Sequence, residues 1–184
     1  MDYFDLFDTS LGPIGMVWRE TLRAKKELVR LFLPRSKNKL LRLIRRTYPG
    51  CTVRSWGTLI SDIKKAMRGK RVDFRYVETA HDQLTALSQK IYEYQRKIPY
   101  GKVISYSVLA RRIGVKNAAR AVGNAQAANP FPLIVPCHRV IKNTGEIGGF
   151  QGGVRLKIAL LALEGIIINK KNGCFFVAEK HVIK

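Results

Sequence analysis

Residues 105–130 read SYSVLARRIGVKNAARAVGNAQAANP. Ser105 is suited to cap a helix start, YSVLARRI has helical apolar spacing, and Gly114 ends it. After the turn VKN (115–117) a second helix runs through AARAVGNAQAA and closes at Asn129–Pro130. Two helices around a glycine-containing turn predict a helix-turn-helix, although helical hairpins of this length also serve other ends. In the second helix Ala118, Val122 and Ala125 recur at i, i+4 and i+7 and are expected to face the protein. The opposite stripe holds Arg120, Gly123, Asn124 and Ala127, with Ala121 beside it. A helix that reads bases in the major groove carries several long polar side chains. This one carries small residues and one arginine, which suits the minor groove, about 6 Å wide and degenerate in its pattern. An alanine-rich core helix has the same composition, so both readings stand here.

Downstream, LIVPCHRV (133–140) sets Cys137 beside His138. Neighbours in an extended chain point to opposite faces, so the thiol and the imidazole are not in direct line. A cysteine protease needs the histidine against the thiol and a third orienting group. A metal site needs more ligands than three scattered cysteines and three histidines offer. Adjacency fits a thiol deprotonated at one remove, through a bridging water, with His138 acting from the other side of the backbone. Something must then hold the imidazole and favour its cationic form. Glu164 is the candidate: it ends the apolar helix GGVRLKIALLALEGI, where a carboxylate opposes the helix dipole. The other reading of Glu164 is a solvated helix end.

Upstream, residues 1–80 read as an α/β unit. VWRETLRAKKELVRLFL carries strand-like ends around a charged turn. SKNKLLRLIRRTYP places Leu40, Leu43 and Ile44 at helical spacing, from Ser36 to a proline stop. TLISDIKKAMRG (Ile60, Ile63, Met67) is a second helix ending at Gly69. RVDFRYVET alternates Val72, Phe74 and Tyr76 as a half-buried strand. TALSQKIYEYQRK then puts Leu87, Ile91 and Tyr94 on one helical face before IPYGK. The boundary is expected near Asp82–Gln83, giving domains 1–82 and 83–184.

With 34 Lys+Arg against 13 Asp+Glu, the chain of 184 residues carries +21. The excess is spread: 18 basic against 9 acidic residues up to residue 85, then 16 against 4. A basic surface on both parts favours a polyanionic partner, because phosphate neutralisation supplies most non-specific nucleic-acid affinity. Apolar runs such as LIV and GIII are far shorter than the roughly 20 residues of a membrane span, and MDYFDLFDTS lacks the pattern of a secretory signal. Cys51, Cys137 and Cys174 are odd in number and lack any CxxC, which argues against a disulfide framework or zinc ribbon. A cytoplasmic, reduced protein is expected.

NPFPLIVPCHRVIKNTGEIGGFQGG, preceded by IPYGKVISYSVLARRIG and ARAVGNA, closely resembles the O6-alkylguanine-DNA alkyltransferases, densely from about Ile98 to Gly165. The resemblance implies an N-terminal RNase-H-like α/β domain and a C-terminal winged helix-turn-helix DNA-binding domain. It implies irreversible, single-turnover transfer of an alkyl group from guanine O6 in double-stranded DNA to Cys137, by a monomer with no cofactor. His138 would be the water-relayed base and Glu164 would orient it. Asn129 would tie the turn leading into the site, and Tyr106 would help neutralise the leaving guanine. Arg120 would enter the duplex where the damaged nucleotide flips out. The Cys137 carbonyl and the amides of Val140 and Gln151 would bond the base, while Pro132 and Phe150 line the alkyl pocket; the family often has tyrosine at the latter. Metal ligands of some members' N-terminal domains find no clear match, so no metal is expected.

The chemistry asks for the same types: a soft thiolate for an ether-like carbon, general acid help for guanine, and extrusion of a stacked base. The alternative is a non-catalytic winged-helix protein that binds alkylated guanine; such proteins lack the reactive cysteine. A DNA-binding regulator would need long polar readers on the second helix.

Overall fold

The computed structural model describes residues 1–82, 84–115 and 118–184. Lys116 and Asn117 of the VKN turn, and Gln83 of the expected boundary, lie outside the described residues. The chain divides into two compact units, Met1–Gln83 with Pro130–Ile134, and Leu84–Asn129 with Val135–Lys184. A single cut near residue 82 makes no provision for the return of Pro130–Ile134. That return has a local cause, since the Leu31 amide donates to the Pro130 carbonyl at 2.8 Å.

In the first unit β1 (Asp2–Thr9) and β2 (Gly12–Glu20) form an antiparallel hairpin, joined in turn to β3 (Lys26–Phe32). The acidic N-terminal stretch, read in sequence only as lacking a signal, is thus a strand; its phenylalanines Phe4 and Phe7 are buried. Next come α1 (Lys37–Thr47), β4 (Thr52–Val53), α2 (Gly57–Ala66) and β5 (Glu78–Thr79), giving the sheet order β4-β1-β2-β3-β5. Leu40 and Ile44 of α1 join Phe4, Val17 and Phe32 in one core cluster. Gly15 lets α1 come this close: a Cβ there would lie 2.9 Å from Ile44 Cδ1 and 3.1 Å from Leu6 Cδ2.

Of the half-buried strand expected over 71–79 only the end, β5 at Glu78–Thr79, is formed. Phe74–Tyr76 is a 3-10 turn, and the buried residues are Val77 and Thr79 rather than Val72, Phe74 and Tyr76. Local polar chemistry wins over alternation. The Asp73 carboxylate accepts from the Arg75 amide at 2.9 Å and from its guanidinium, and the Tyr76 hydroxyl donates outward to Asp62 at 2.8 Å.

The second unit begins with α3 (Ala86–Gln95), capped by Thr85, whose hydroxyl accepts from the Ser88 amide. Then follow β6 (Val103–Ser105), α4 (Tyr106–Arg112), α5 (Ala119–Ala128), β7 (Val140–Ile141), α6 (Val154–Leu163), β8 (Ile168–Lys171), β9 (Cys174–Val177) and β10 (Val182–Ile183). Ser105 caps α4 by accepting from the Val108 amide, and Gly114 follows with φ 78°. A parallel sheet of order β10-β6-β7 and an antiparallel β8–β9 hairpin complete the unit. Val103, Ile141, Ile147, Leu161, Ile166 and Val177 form its core cluster. Packing of α3 on α5 is fixed by polar groups as well: Gln95 and Gln126 exchange amide hydrogen bonds at 2.9 Å, and the Tyr92 hydroxyl donates to the Ala125 carbonyl at 2.7 Å. Among the described residues no helix is long and apolar enough to cross a membrane.

Candidate active site

Cys137 and His138 share one turn of 3-10 helix, Cys137–Arg139. At three residues per turn their side chains leave the axis about 120° apart, which is how adjacent residues serve different sides of one site. Cys137 is 4% exposed and forms part of the wall of a cavity of about 260 Å³. Tyr106, Phe150 and Gln151 line the same cavity, as do Gly123 and Ala127 of α5. Its volume falls just below the roughly 300–1,000 Å³ of small-molecule sites, room for one flat ring system.

The outward stripe of α5 leads from this cavity to solvent. Arg120, Asn124 and Ala127 are exposed, Ala121 and Gly123 half-buried, while Val122, Ala125 and Gln126 are buried. A Cβ on Gly123 would meet nothing within 4 Å. Nothing inside the molecule therefore requires glycine there. Gln151 clamps the end of this helix, its side-chain amide donating to the Ala127 carbonyl at 3.0 Å.

Asn129 is buried and its Nδ2 donates to the Val135 carbonyl at 3.0 Å, while its side chain also bonds the Cys137 sulfur. Val140 is fully buried, and its amide donates to the Cys137 carbonyl to close the 3-10 turn. The amide and the carbonyl expected to serve a bound base thus already bond one another within the turn, and the carbonyl keeps a second lone pair. Pro132 is buried in Pro130–Ile134, the segment grouped with the first unit, and is not among the residues lining the cavity.

Behind Cys137, His138 Nε2 lies 2.8 Å from Glu164 Oε1. The same carboxylate accepts from Arg139 Nε and Nη2 at 2.8 to 3.0 Å and from the Gly101 amide at 3.1 Å. Burial opposes its charge, but the hydrogen bonds from His138 and Arg139 and the charge of Arg139 outweigh that and hold Glu164 down to about 2. An ionised carboxylate only accepts, so Nε2 carries the proton and Nδ1, in the neutral ring, is the basic nitrogen. Nδ1 is buried with no hydrogen-bond partner among the described residues.

The sequence reading has Glu164 favouring an imidazolium. Glu164 does raise His138 as expected, but burial outweighs it and pushes His138 below its ordinary value, and the charges of Arg139 and Lys157 push the same way as burial. Glu164 is shared with Arg139, whose side chain the sequence reading did not single out. Burial likewise pushes the Cys137 thiol up to about 11, with Asn129 and the Lys157 charge opposing. The resting site holds a protonated thiol and a neutral imidazole.

Lys157 is the second residue missed in the sequence. It sits inside α6 at 0% exposure, its Nζ donating to the carbonyls of Val140 and Ile147 at 2.6 Å and of Gly149 at 3.3 Å. Burial brings it down to about 8, so it is still a cation at neutral pH, beside Cys137. A lysine within the apolar run LKIALLAL is the available signal, since lysine is almost never fully buried unless paired.

Glu164→Gln should cost roughly 3–5 kcal/mol at neutral pH, because Arg139 is left without its counter-charge in a buried site. The pH dependence has a definite sign. The folded pKa is depressed below the unfolded 4.5, so the carboxylate's stabilisation is complete above about 4.5 and fades as pH falls towards 2. Denaturant titrations should show the gap between variant and parent closing from pH 5 to pH 2. A constant gap would mean that the carboxylate's charge is not what stabilises the site.

Residues 86–166 match the family described as 6-O-methylguanine DNA methyltransferase, DNA binding domain. The methylated-DNA–protein-cysteine methyltransferase of Salmonella typhimurium is 33% identical over 161 residues, 87% of this chain and 94% of that protein. The protein of the same name from Methanothermobacter thermautotrophicus is 38% identical over 108 residues, 59% of this chain and 60% of that one. Among solved structures, Mycobacterium tuberculosis OGT in complex with DNA matches with a TM-score of 0.73 at 30% identity, over 88% of this chain and 92% of that one. The chain belongs to the methylated-DNA–protein-cysteine methyltransferase family, and its fold is the mixed α/β fold of that family's solved members.

Proposed function

We propose that the chain reverses alkylation damage by moving a methyl group from O6 of guanine in double-stranded DNA onto Cys137, once per molecule and without turnover. The observation that carries this is the thiol in the wall of a base-sized cavity, backed by a histidine whose free nitrogen is basic. The flipped base enters between Tyr106 and Phe150. Cys137 Sγ attacks the methyl carbon, an S–C bond forms, and the O6–C bond breaks with its electron pair left on guanine. The thiol proton passes through a bridging water to His138 Nδ1, and the Tyr106 hydroxyl donates to the departing base. Glu164 and Arg139 hold the imidazole in the tautomer that can receive that proton.

The first unit, with its returning segment Pro130–Ile134, is the RNase-H-like domain and the second unit the winged helix-turn-helix domain, with α4 and α5 as the helix pair and the β8–β9 hairpin as wing. The open space around Gly123 supports close approach of a duplex to α5, and the protein acts as a cytoplasmic monomer. A reading as a binder of alkylated guanine alone is disfavoured by Cys137 itself. Titrating the chain with O6-methylguanine duplex tests the proposal: repaired guanine should rise to one per chain and stop. Continued turnover, or binding with no loss of O6-methylguanine, would overturn it.

Arg120 acts on the duplex rather than on the chemistry, being exposed on α5. Arg120→Ala should slow repair of duplex by about tenfold or more, in proportion to the few kcal/mol of flipping it offsets, while repair of free O6-methylguanine is nearly unchanged. Equal losses on both substrates would remove it from this role.

A further inference from the structure

The basic face of α1 is not explained by the stability of α1. Leu40 and Ile44 fill the core, and Lys39, Arg42, Arg45 and Arg46 are exposed, with Arg35 exposed just before the helix. The helix has no acidic residue. Among the described residues none of these five cations makes an ion pair, whereas neighbours on the same unit do: Lys37 with Asp8, Arg54 with Glu20, Lys65 with Asp62 and Arg75 with Asp73. Arg42 and Arg46 are like charges at i, i+4, which opposes helix formation. The N-terminal turn gains nothing either, since Ser36 makes no side-chain cap bond and no acid follows it. Only Arg45 and Arg46, in the last turn, are favoured by the helix dipole. The stripe is a local cost to the fold, retained on a surface.

We propose that this face of α1 is a docking surface for the phosphate backbone of duplex DNA, additional to the one provided by α5. From Lys39 to Arg46 the helix rises about 10 Å, which matches about three phosphates at roughly 3.4 Å of duplex axis each. Arginine forks suit phosphate oxygens, and side chains on one rigid helix are held in register. An anionic membrane shares the charge, but a helix that docks on lipid needs an apolar face free to enter the headgroup region. The apolar face of α1 is spent on the core: Leu40 and Ile44 have 0% exposure. The choice of DNA as the polyanion rests on the proposed function; the test does not require methyl transfer.

The test is the salt dependence of binding to undamaged duplex, for the full chain and for Lys39→Gln/Arg42→Gln/Arg45→Gln/Arg46→Gln. Each phosphate that no longer meets a cation should flatten the plot of log affinity against log salt by about 0.9. A fall of about 2 to 4 in slope is therefore expected, with repair of free O6-methylguanine unchanged. A matched neutralisation elsewhere on the first unit, Lys64→Gln/Lys65→Gln/Arg68→Gln/Lys70→Gln, should leave the slope within about 0.9 of the parent's. Equal flattening by both sets would mean diffuse net charge and overturn the proposal. So would an unchanged slope for the α1 set, or α1-dependent binding to phosphatidylserine vesicles with an unchanged DNA slope. Matched melting curves confirm that the variants fold. Should the fourfold variant melt early, Arg42→Gln/Arg46→Gln should show about half the effect, and no change in that pair would equally refute the docking surface. A chain that shows the slope change but never methylates Cys137 would fault the proposed chemistry and leave this surface standing.

Discussion

A Cys137→Ser chain is expected to bind undamaged and methylated duplex about as tightly as the parent and to remove no methyl group from either. Affinity for duplex comes mainly from phosphate contacts, and the Cys137 sulfur, 4% exposed at the cavity wall, makes none. The chemistry is lost because a hydroxyl is a far weaker and harder nucleophile than a thiol towards an ether-like carbon. Neither of the other cysteines can substitute. Cys51 lies in the first unit with its thiol pushed up by burial, and Cys174 is exposed on β9. Serine at either position should repair normally. Measured repair by the Cys137→Ser chain above the uncatalysed background would remove Cys137 from its role.

The second large effect is expected at Lys157. Lys157→Met keeps the side chain's length and apolar stem but removes the ammonium, and two opposing stabilities then change. Carrying the ammonium at about 8 instead of 10.5 costs its charged form about 3 kcal/mol, which the variant recovers. Against that, the carbonyls of Val140, Ile147 and Gly149 lose their shared donor, at about 1–3 kcal/mol for each left unsatisfied. The net loss of stability is therefore between about zero and 6 kcal/mol, according to how many of the three carbonyls find another donor. Function should suffer more. Gly149 adjoins Phe150 and Gln151 in the cavity wall, and the cation next to Cys137 is one of the groups that favours its thiolate. A loss of about a hundredfold in repair rate is expected, equivalent to about 2.7 kcal/mol in the barrier. Thiol alkylation as a function of pH should show the Cys137 titration moving above about 11. An unmoved titration with a slow variant would leave Lys157 a purely structural strut.

Much of this was legible where local rules are strong. Ser105 before YSVLARRI and Gly114 after it mark α4, because cap and stop are chemical demands of a few adjacent residues. Leu40 and Ile44 mark the buried face of α1 for the same reason. RVDFRYVET misled because alternation is a weak signal over nine residues, and Asp73 with Arg75 offered the backbone a competing turn. The strand β1 was hidden behind its acidic residues, although Asp5 is accounted for inside: its carboxylate accepts from the Trp56 amide at 3.0 Å. At the site, Cys137, His138 and Glu164 could be named from chemistry and resemblance, and Glu164 proved to be a buried anion. Arg139 and Lys157 could not, because their partners are backbone carbonyls and a carboxylate far away in sequence. Sequence adjacency to Cys137 draws the eye to His138 alone. The electrostatics of the site follow from burial, which raises the thiol against the Lys157 charge and lowers His138 together with those two cations, neither of which a motif displays.

The central claim is that one particular sulfur receives the methyl group, and the three cysteines can be separated cleanly. Trypsin cuts after Arg120 and Arg139, so Cys137 leaves on the peptide Ala121–Arg139, while Cys51 and Cys174 leave on others. Mass spectrometry after incubation with excess O6-methylguanine duplex should find one methyl on Ala121–Arg139 in every molecule, at Cys137, and none on the peptides that carry Cys51 and Cys174. An unmethylated Ala121–Arg139 peptide, with the duplex either unrepaired or repaired, would contradict the account.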